Sequence, residues 1–159
     1  MLRRMRGNDR GFTLLEVIFT CLLLGILVGL IAGPWNSYRH TRAHREARDE
    51  VVAALRNAQI RSVSENVTYR VDLAPTTAVT YRVPASGPAV VTRRYTITDR
   101  LVRLTGASFE DSAGVVGTKV YFYPRGSASV GSVDVTRSDR AKVYTVSVEG
   151  LTARVSFTD

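Results

Sequence analysis

The feature that most constrains this chain is a long apolar segment close to its N-terminus. Residues Phe12–Trp35 are apolar apart from Thr13, Glu16 and Thr20, and Gly33–Pro34 marks a predicted turn near the end of the segment. As a helix, these 24 residues would span roughly 36 Å, and a hydrocarbon core is about 30 Å thick. The segment therefore predicts a transmembrane helix over residues 12–35.

Three interpretations of this segment compete. A cleaved secretory signal has a shorter apolar region, of roughly 7–15 residues, before a small-residue cleavage site, and the site here, Ala32–Gly33, is followed by Pro34. A plain signal anchor fits the length but leaves Glu16 unexplained. The third interpretation is a helix that is processed at its own N-terminus, and it accounts for both the length and the carboxylate.

Residues 1–11 form a short basic leader. Its four arginines, Arg3, Arg4, Arg6 and Arg10, outweigh Asp9. Basic flanks stay in the cytoplasm, so this leader predicts a single-pass membrane protein with an extracytoplasmic C-terminal domain. Arg39, Arg42, Arg45 and Arg48 follow the helix, but Glu46, Asp49 and Glu50 partly offset their charge.

The residues Gly11-Phe12-Thr13-Leu14-Leu15-Glu16 resemble the processing site of type IV prepilins. The resemblance implies that a prepilin peptidase cuts between Gly11 and Phe12 and that Phe12 is then N-methylated, which leaves 148 of the 159 residues. It also implies that Glu16 pairs with the N-terminal amine of a neighbouring subunit. A carboxylate inside a bilayer is costly, by about 2.5–3.5 kcal/mol at the helix centre. The alternative is an interfacial glutamate that reaches the headgroups.

Small residues recur every four positions on the same predicted helix, at Cys21, Gly25, Gly29 and Gly33. Such a stripe lets apolar helices approach closely, although glycine is also common in membrane helices generally. Pro34 predicts a kink where the helix leaves the bilayer.

Residues 36–66 predict an amphipathic helix. One apolar stripe recurs at spacings of three and four residues: Ala43, Ala47, Val51, Ala54, Leu55 and Ala58. Asn66 is the predicted stop, because asparagine tolerates the left-handed conformation of a helix C-terminus.

Residues 67–159 predict an extracytoplasmic β-domain. Runs rich in Val, Thr and Tyr alternate with Pro, Gly, Ser and Asp, and they predict strands at 67–73, 78–83, 89–97, 101–105, 118–123, 130–136, 142–148 and 152–157. The one cysteine, Cys21, lies in the apolar segment, so burial and strand pairing must hold this domain together without a disulfide.

Within the pilin-like proteins, the chain resembles the GspH/FimT group of minor pseudopilins. The resemblance rests on Ala54-Leu55-Arg56-Asn57-Ala58, on Ser64-Glu65-Asn66-Val67-Thr68 and on the turn Phe122-Tyr123-Pro124-Arg125-Gly126. It implies an α+β fold, in which a long N-terminal helix packs on an antiparallel β-domain of two sheets. It also implies a hetero-oligomeric filament of pilin or pseudopilin subunits, of the type II secretion or type IV pilus kind.

No catalytic, cofactor or metal motif is recognised. His40 and His44 have a chelating spacing, but a solvated helix face is the better interpretation, because no third ligand or zinc-protease glutamate accompanies them. The carboxylates form no acid/base pair. The sequence therefore predicts a structural protein and no enzyme, with a membrane-tethered enzyme or adhesin as a weak rival.

The net charge of +8 leaves a second functional hypothesis open. Candidate DNA-binding residues of the β-domain are Arg125, Arg137, Arg140, Lys142 and Arg154, since some relatives in the FimT branch bind DNA during uptake. Converging cations would bind phosphates in a salt-sensitive manner. A diffuse solvated surface is the simpler interpretation of the same residues.

Overall fold

The computed structural model describes residues 12–158, except for the side chains of residues 31–37. Gly11 and the leader lie outside the described residues, and so do the surroundings of Gly33 and the side chain of Pro34. The predicted cleavage site, the last position of the small-residue stripe and the kink therefore stay predictions. The chain divides into two compact units, Met1–Arg39 and His40–Asp159.

One α-helix and nine β-strands make up the described chain. The helix is α1 (Leu14–Ser64), and the strands are β1 (Thr68–Ala74), β2 (Thr77–Val83), β3 (Val90–Thr96), β4 (Val102–Glu110), β5 (Val116–Gly117), β6 (Lys119–Phe122), β7 (Val130–Arg137), β8 (Arg140–Val148) and β9 (Val155–Thr158).

The strands form two antiparallel sheets. The first sheet has the order β3-β2-β1-β6 and the second the order β5-β4-β7-β8-β9. The predicted α+β class, with a helix packed on two antiparallel sheets, is confirmed. β5 was not predicted, since two residues are too few for an alternating pattern.

In the second unit, helix α1 contributes one buried face to the core. Ala47, Val51, Leu55 and Ala58 are fully buried and Ala54 is nearly so, so the predicted apolar stripe is confirmed. They share a core with the inward-facing residues of both sheets, among which Tyr69, Phe109 and Phe122 have the largest fully buried side chains. Small alanines on the helix let the sheets approach it closely.

Helix α1 ends at Ser64, two residues before the predicted stop. Asn66 has a φ of 52° and so adopts the left-handed conformation expected of it. The amide of Val67 donates a hydrogen bond to the Ser62 carbonyl (3.2 Å), which satisfies one of the last carbonyls of the helix.

Two strand boundaries differ from the prediction by three residues or more. The run predicted at 101–105 continues to Glu110 as β4, because a bulge after Thr105 with Gly106 at φ 60° lets pairing with β7 resume at Ser108. The run predicted from residue 152 begins only at Val155, because Ala153 has a φ of 51° and ends a turn.

Gly131 marks a close backbone approach in the second sheet. A Cβ atom at this position would lie 2.0 Å from the Ser108 carbonyl oxygen and 2.7 Å from the Phe109 Cα. Gly131 pairs with Phe109 on one side and Val148 on the other, so both neighbouring strands hold it in place.

We expect Gly131→Ala to destabilise the β-domain by about 3 kcal/mol, at the upper end of the cost of overpacking, because backbone atoms must move to admit the methyl group. Thermal melts followed by circular dichroism should show the midpoint falling by roughly 10 °C. Gly117→Ala is the matched control, since no atom lies within 4 Å of its added Cβ. Equal midpoints for the two variants would contradict the argument.

Candidate assembly segment and the charged residues of the β-domain

Helix α1 begins with a capping arrangement around Glu16. The backbone N–H of Glu16 donates to the Thr13 side-chain hydroxyl (3.2 Å) and to the Thr13 carbonyl (3.0 Å). Thr13 is therefore the N-cap and Glu16 the third residue of the helix, the positions of a Thr-x-x-Glu capping box. The capping role of Thr13 was not predicted, although this spacing before an apolar run was the signal for it.

Glu16 also lies in the first turn of α1, where the helix dipole favours negative charge. The next polar residue, Thr20, donates its hydroxyl to the carbonyls of Glu16 and Val17 (2.9 Å each). Thr20 is thus satisfied within its own helix.

The apolar side chains of residues 12–30 are exposed in the single chain. Leu14 and Leu15 are each 80% exposed, and Phe12, Ile18 and Phe19 are more than half exposed. Cys21 is exposed, and nothing lies within 4 Å of a Cβ added at Gly25 or Gly29, so these members of the small-residue stripe are open. Covering such side chains stabilises by about 1.5–3 kcal/mol each, so this segment is built for an apolar environment or partner helices.

Within the part of the chain that the structure describes, no helix combines the length and the apolarity needed to cross a membrane.

In the second unit, His40 and His44 face the β-domain. The expectation of a solvated helix face was wrong for both. His40 Nδ1 lies 2.6 Å from the Asp99 carboxylate, and His44 is only 4% exposed with Nε2 at 2.8 Å from the Val135 carbonyl oxygen. The carbonyl only accepts, so Nε2 of His44 carries the proton. Both rings thus attach the helix to the β-domain, His40 through the β3–β4 loop and His44 through β7.

Burial and nearby charges shift the pKa of His44 and the pKa of Asp99, the partner of His40. Burial lowers the pKa of His44, and Arg137, Arg48 and Lys142 lower it further, against the effect of the bond to Val135. Burial by itself would raise the pKa of Asp99, but hydrogen bonds from His40 and from the Leu101 amide outweigh it, so that pKa lies below its ordinary value.

Arg137, one of the five candidate DNA-binding residues, is buried. It is 3% exposed, its guanidinium forks onto Asp139, and it donates to the Thr41 hydroxyl (2.9 Å). The hydrogen bond from Arg137 lowers the pKa of Asp139 to about 2. Arg137 therefore ties the β7–β8 turn to helix α1 and presents little of its charge to solvent.

The other four candidates are exposed but lie at two ends of the domain. Arg140 and Lys142 begin β8, whereas Arg154 lies beyond the last residue of β8, opposite Glu149. Arg125 lies in the β6–β7 turn, which reaches the same region, because the Ala128 amide donates to the Gly150 carbonyl (2.7 Å). The length of β8 separates the pairs by about 27 Å, so the five residues do not converge.

The structure also locates surface grooves. One of about 660 Å³ is lined by Asn66, Ser112, Tyr123, Pro124, Arg125, Ser127, Ala128, Gly150 and Leu151. This lining contains no carboxylate, histidine or cysteine, and the hydroxyls of Ser112 and Tyr123 are hydrogen-bonded to each other (2.9 Å). Across residues 12–158, no cluster of three or more His, Cys, Asp or Glu side chains is arranged to hold a metal ion.

Comparisons with known proteins place these features in context. A family model described as the prokaryotic N-terminal methylation motif matches residues 6–32. Two crystal forms of the type IV minor pilin FimU from Pseudomonas aeruginosa strain PAO1 have similar structures, with TM-scores of 0.58 and 0.54 and 14% sequence identity in both cases. These alignments cover 77% and 72% of this chain and 92% of the FimU chain in each form. No curated protein matches in sequence.

The chain thus combines an N-terminal methylation motif with a fold similar to that of a type IV minor pilin. The methylation motif includes the start of helix α1, and the later part of that helix packs on two antiparallel sheets. At 14% identity, the likeness to FimU is one of fold.

The buried, neutral His44 makes the domain's stability depend on pH. Its pKa lies below 6.5 in the folded chain and near 6.5 in the unfolded chain, so the unfolded chain binds more protons between these values. Stability is therefore full above about pH 6.5 and falls as the pH drops through the folded pKa. The lowered pKa values of Asp99 and Asp139 change the stability only below about pH 4.

We expect the melting temperature to fall between pH 7.5 and pH 5, and to fall less in His44→Gln, whose amide still donates to the Val135 carbonyl. Calorimetry in matched buffers measures how the melting temperature changes with pH in the natural chain and in the variant. An equal change of melting temperature with pH in His44→Gln would contradict the assignment of this pH dependence to His44.

Proposed function

We propose that the chain is a structural minor pilin or pseudopilin, a subunit of a type II secretion or type IV pilus-like filament. The observation that carries this proposal is the methylation motif over residues 6–32, which includes the first part of an exposed apolar helix with Glu16 in its first turn. The likeness of the whole fold to a type IV minor pilin supports it.

In this proposal, a prepilin peptidase cuts between Gly11 and Phe12, and Phe12 is N-methylated. Before assembly the apolar segment anchors the protein in the inner membrane by a single pass, with its basic leader in the cytoplasm and the β-domain outside. The pilin-like domain has a structural role and no catalytic one.

Processing would change the surroundings of Glu16. Cleavage creates an amine on Phe12, a positive charge about one helical turn from the Glu16 carboxylate. Within one chain, the capping arrangement already ties Thr13 to the Glu16 backbone. The carboxylate then complements the amine of a neighbouring subunit, where both groups would otherwise be buried unpaired in the filament core. The open positions at Cys21, Gly25 and Gly29 let neighbouring helices approach.

The DNA-capture hypothesis stays a prediction from the sequence. Two separated pairs of exposed cations, and the burial of Arg137, favour no single DNA-binding face among the five candidates.

We expect Gly11→Val to block processing, because the branched side chain replaces the glycine at the cut. Mass spectrometry of the membrane fraction should then find the full 159 residues instead of an N-methylated chain of 148 that begins at Phe12. Gly7→Val, in the same leader but away from the cut, is the control. A normally processed Gly11→Val chain would overturn the assigned cleavage site.

We expect Glu16→Ala to be processed but absent from sheared filaments, or present there at less than about a tenth of the normal amount. The substitution leaves the N-terminal amine of a neighbouring subunit buried without a counter-charge, which costs several kcal/mol. Thr20→Val is the matched control, because it removes a polar group that bonds only within its own helix in the described chain. Immunoblots of filament and membrane fractions measure both. Normal incorporation of Glu16→Ala would contradict the assembly role.

A further inference from the structure

Two adjoining grooves lie at the end of the β-domain where helix α1 ends. The groove of about 660 Å³ described above adjoins a second groove of about 410 Å³. Three lining residues, Asn66, Tyr123 and Pro124, belong to both, so we treat the two as one and call it the tyrosine groove. Tyr121 also lines its second part. An elongated ligand that filled both parts would contact Tyr123 along its length.

The two tyrosine rings are held in place by their hydroxyl groups. The Tyr123 hydroxyl is hydrogen-bonded to the Ser112 hydroxyl (2.9 Å). The Tyr121 hydroxyl is hydrogen-bonded to Arg70, whose guanidinium pairs with Asp72 at 2.7 Å. The ring planes are nearly parallel, at 12° to each other, with centroids 6.4 Å apart. Both side chains are only half-buried, so part of each ring is open to a ligand.

The loops beside the tyrosine groove are fixed by backbone hydrogen bonds. The Tyr123 amide donates to the Ser127 carbonyl (2.9 Å). In the loop after β4, the Asp111 carboxylate accepts hydrogen bonds from the amides of Ala113 and Val115 (2.8 and 3.0 Å). The groove is therefore formed before a ligand arrives, which lowers the entropic cost of binding.

Polar side chains surround the rings. Asn66 contributes an amide, and Ser127 and Thr68 contribute hydroxyls. The charged lining residues are Arg125 in the first part of the groove and Asp111 in the second. Their charges cancel, so the lining has no excess of cations with which to attract a polyanion such as nucleic acid.

The backbone beside the rings is already paired. The Tyr121 amide donates to the Ser129 hydroxyl (3.1 Å), and the Tyr121 carbonyl accepts a hydrogen bond from the Ser129 amide (2.8 Å). A peptide that binds as an added strand needs unpaired backbone groups at a sheet edge. This side of β6 does not offer them, so the groove is not suited to an extended peptide strand.

From these features we propose that the tyrosine groove binds a neutral, linear polysaccharide built of β-linked pyranose rings. The axial C–H groups of such rings form flat apolar faces that pack on tyrosine rings. Their equatorial hydroxyls need hydrogen-bond partners around the edge, and amide, guanidinium, carboxylate and hydroxyl groups provide them here. The inference goes beyond the proposed function and does not rest on it, because it gives the β-domain an adhesive role of its own.

The test uses the full-length chain, kept in solution by a detergent with phosphocholine headgroups, because sugar-headed detergents would compete. The probes are hexamers of β-1,4-linked glucose and of β-1,4-linked N-acetylglucosamine. Saturation-transfer NMR shows which sugar protons lie against the protein, and titration gives the Kd. We expect at least one hexamer to bind with a Kd of about 1 mM or lower, with the strongest saturation on its axial ring protons.

Variants separate the ring contact from a structural role. Tyr123→Ala should weaken binding by about tenfold, whereas Tyr123→Phe, which keeps the ring but loses the bond to Ser112, should stay within about twofold. Asn66→Gly removes the amide, tolerates the positive φ of this position and should weaken binding by about fivefold. The two sites lie in different elements, so one misfolded variant does not decide the result. Val90→Ala, at an exposed position of β3, is the control and should bind normally.

The contrary outcomes are distinct. No saturation transfer to either hexamer at about 5 mM sugar, or equal losses in Tyr123→Ala and Val90→Ala, would overturn the inference. Equal losses in Tyr123→Ala and Tyr123→Phe would contradict the ring contact on which it depends. If a decaproline peptide binds in a Tyr123-dependent manner and the hexamers do not, the occupant is a peptide. Tighter binding of a galacturonic acid hexamer would contradict the assignment of a neutral ligand. None of these results bears on filament assembly.

Discussion

The β-domain depends on the burial of one narrow face of helix α1. Ala47, Val51, Leu55 and Ala58 have no exposed surface, and the inward-facing residues of both sheets complete the same core. With no cysteine beyond Cys21, this packing and the strand ladders provide the stability. Polar contacts made by His40, Thr41 and His44 extend the same attachment of the helix. They hold the helix to the β3–β4 loop and to β7 at the point where the chain enters the domain.

Much of this architecture follows from local patterns. The spacing of Ala47, Val51 and Leu55 predicts the buried helix face, and Asn66 predicts the end of the helix because few other residues adopt a positive φ easily. Alternation in β8 predicts which of its residues face inward. These features depend on residues close together in the chain, and a single sequence displays them.

Other features depend on residues distant in sequence, so they could not be predicted. In the sequence, nothing distinguishes His44 from a histidine on a solvated helix surface. Its position depends on the Val135 carbonyl, 91 positions later, which accepts its hydrogen bond. The sequence also does not distinguish Arg137 from its exposed neighbours, because its burial goes with contacts to Asp139 and Thr41 that only the fold creates. The bulge after Thr105 arises from the pairing of β4 with β7, which the residues of β4 alone do not specify. The capping role of Thr13 is different, since its signal was local and was overlooked.

The long sequence separation of the helix contacts has a consequence for the order of folding. Thr41 meets Arg137 across 96 positions, and Arg56 meets Val155 across 99. If the proposed anchor keeps the N-terminus in the cytoplasm and the rest of the chain is exported in sequence order, the helix emerges long before β7 to β9 exist outside to cover its apolar face. Native docking must wait for nearly the whole chain to emerge, and contacts this distant form slowly. The period of greatest risk for such a subunit is thus the interval between insertion of its anchor and arrival of its last strands.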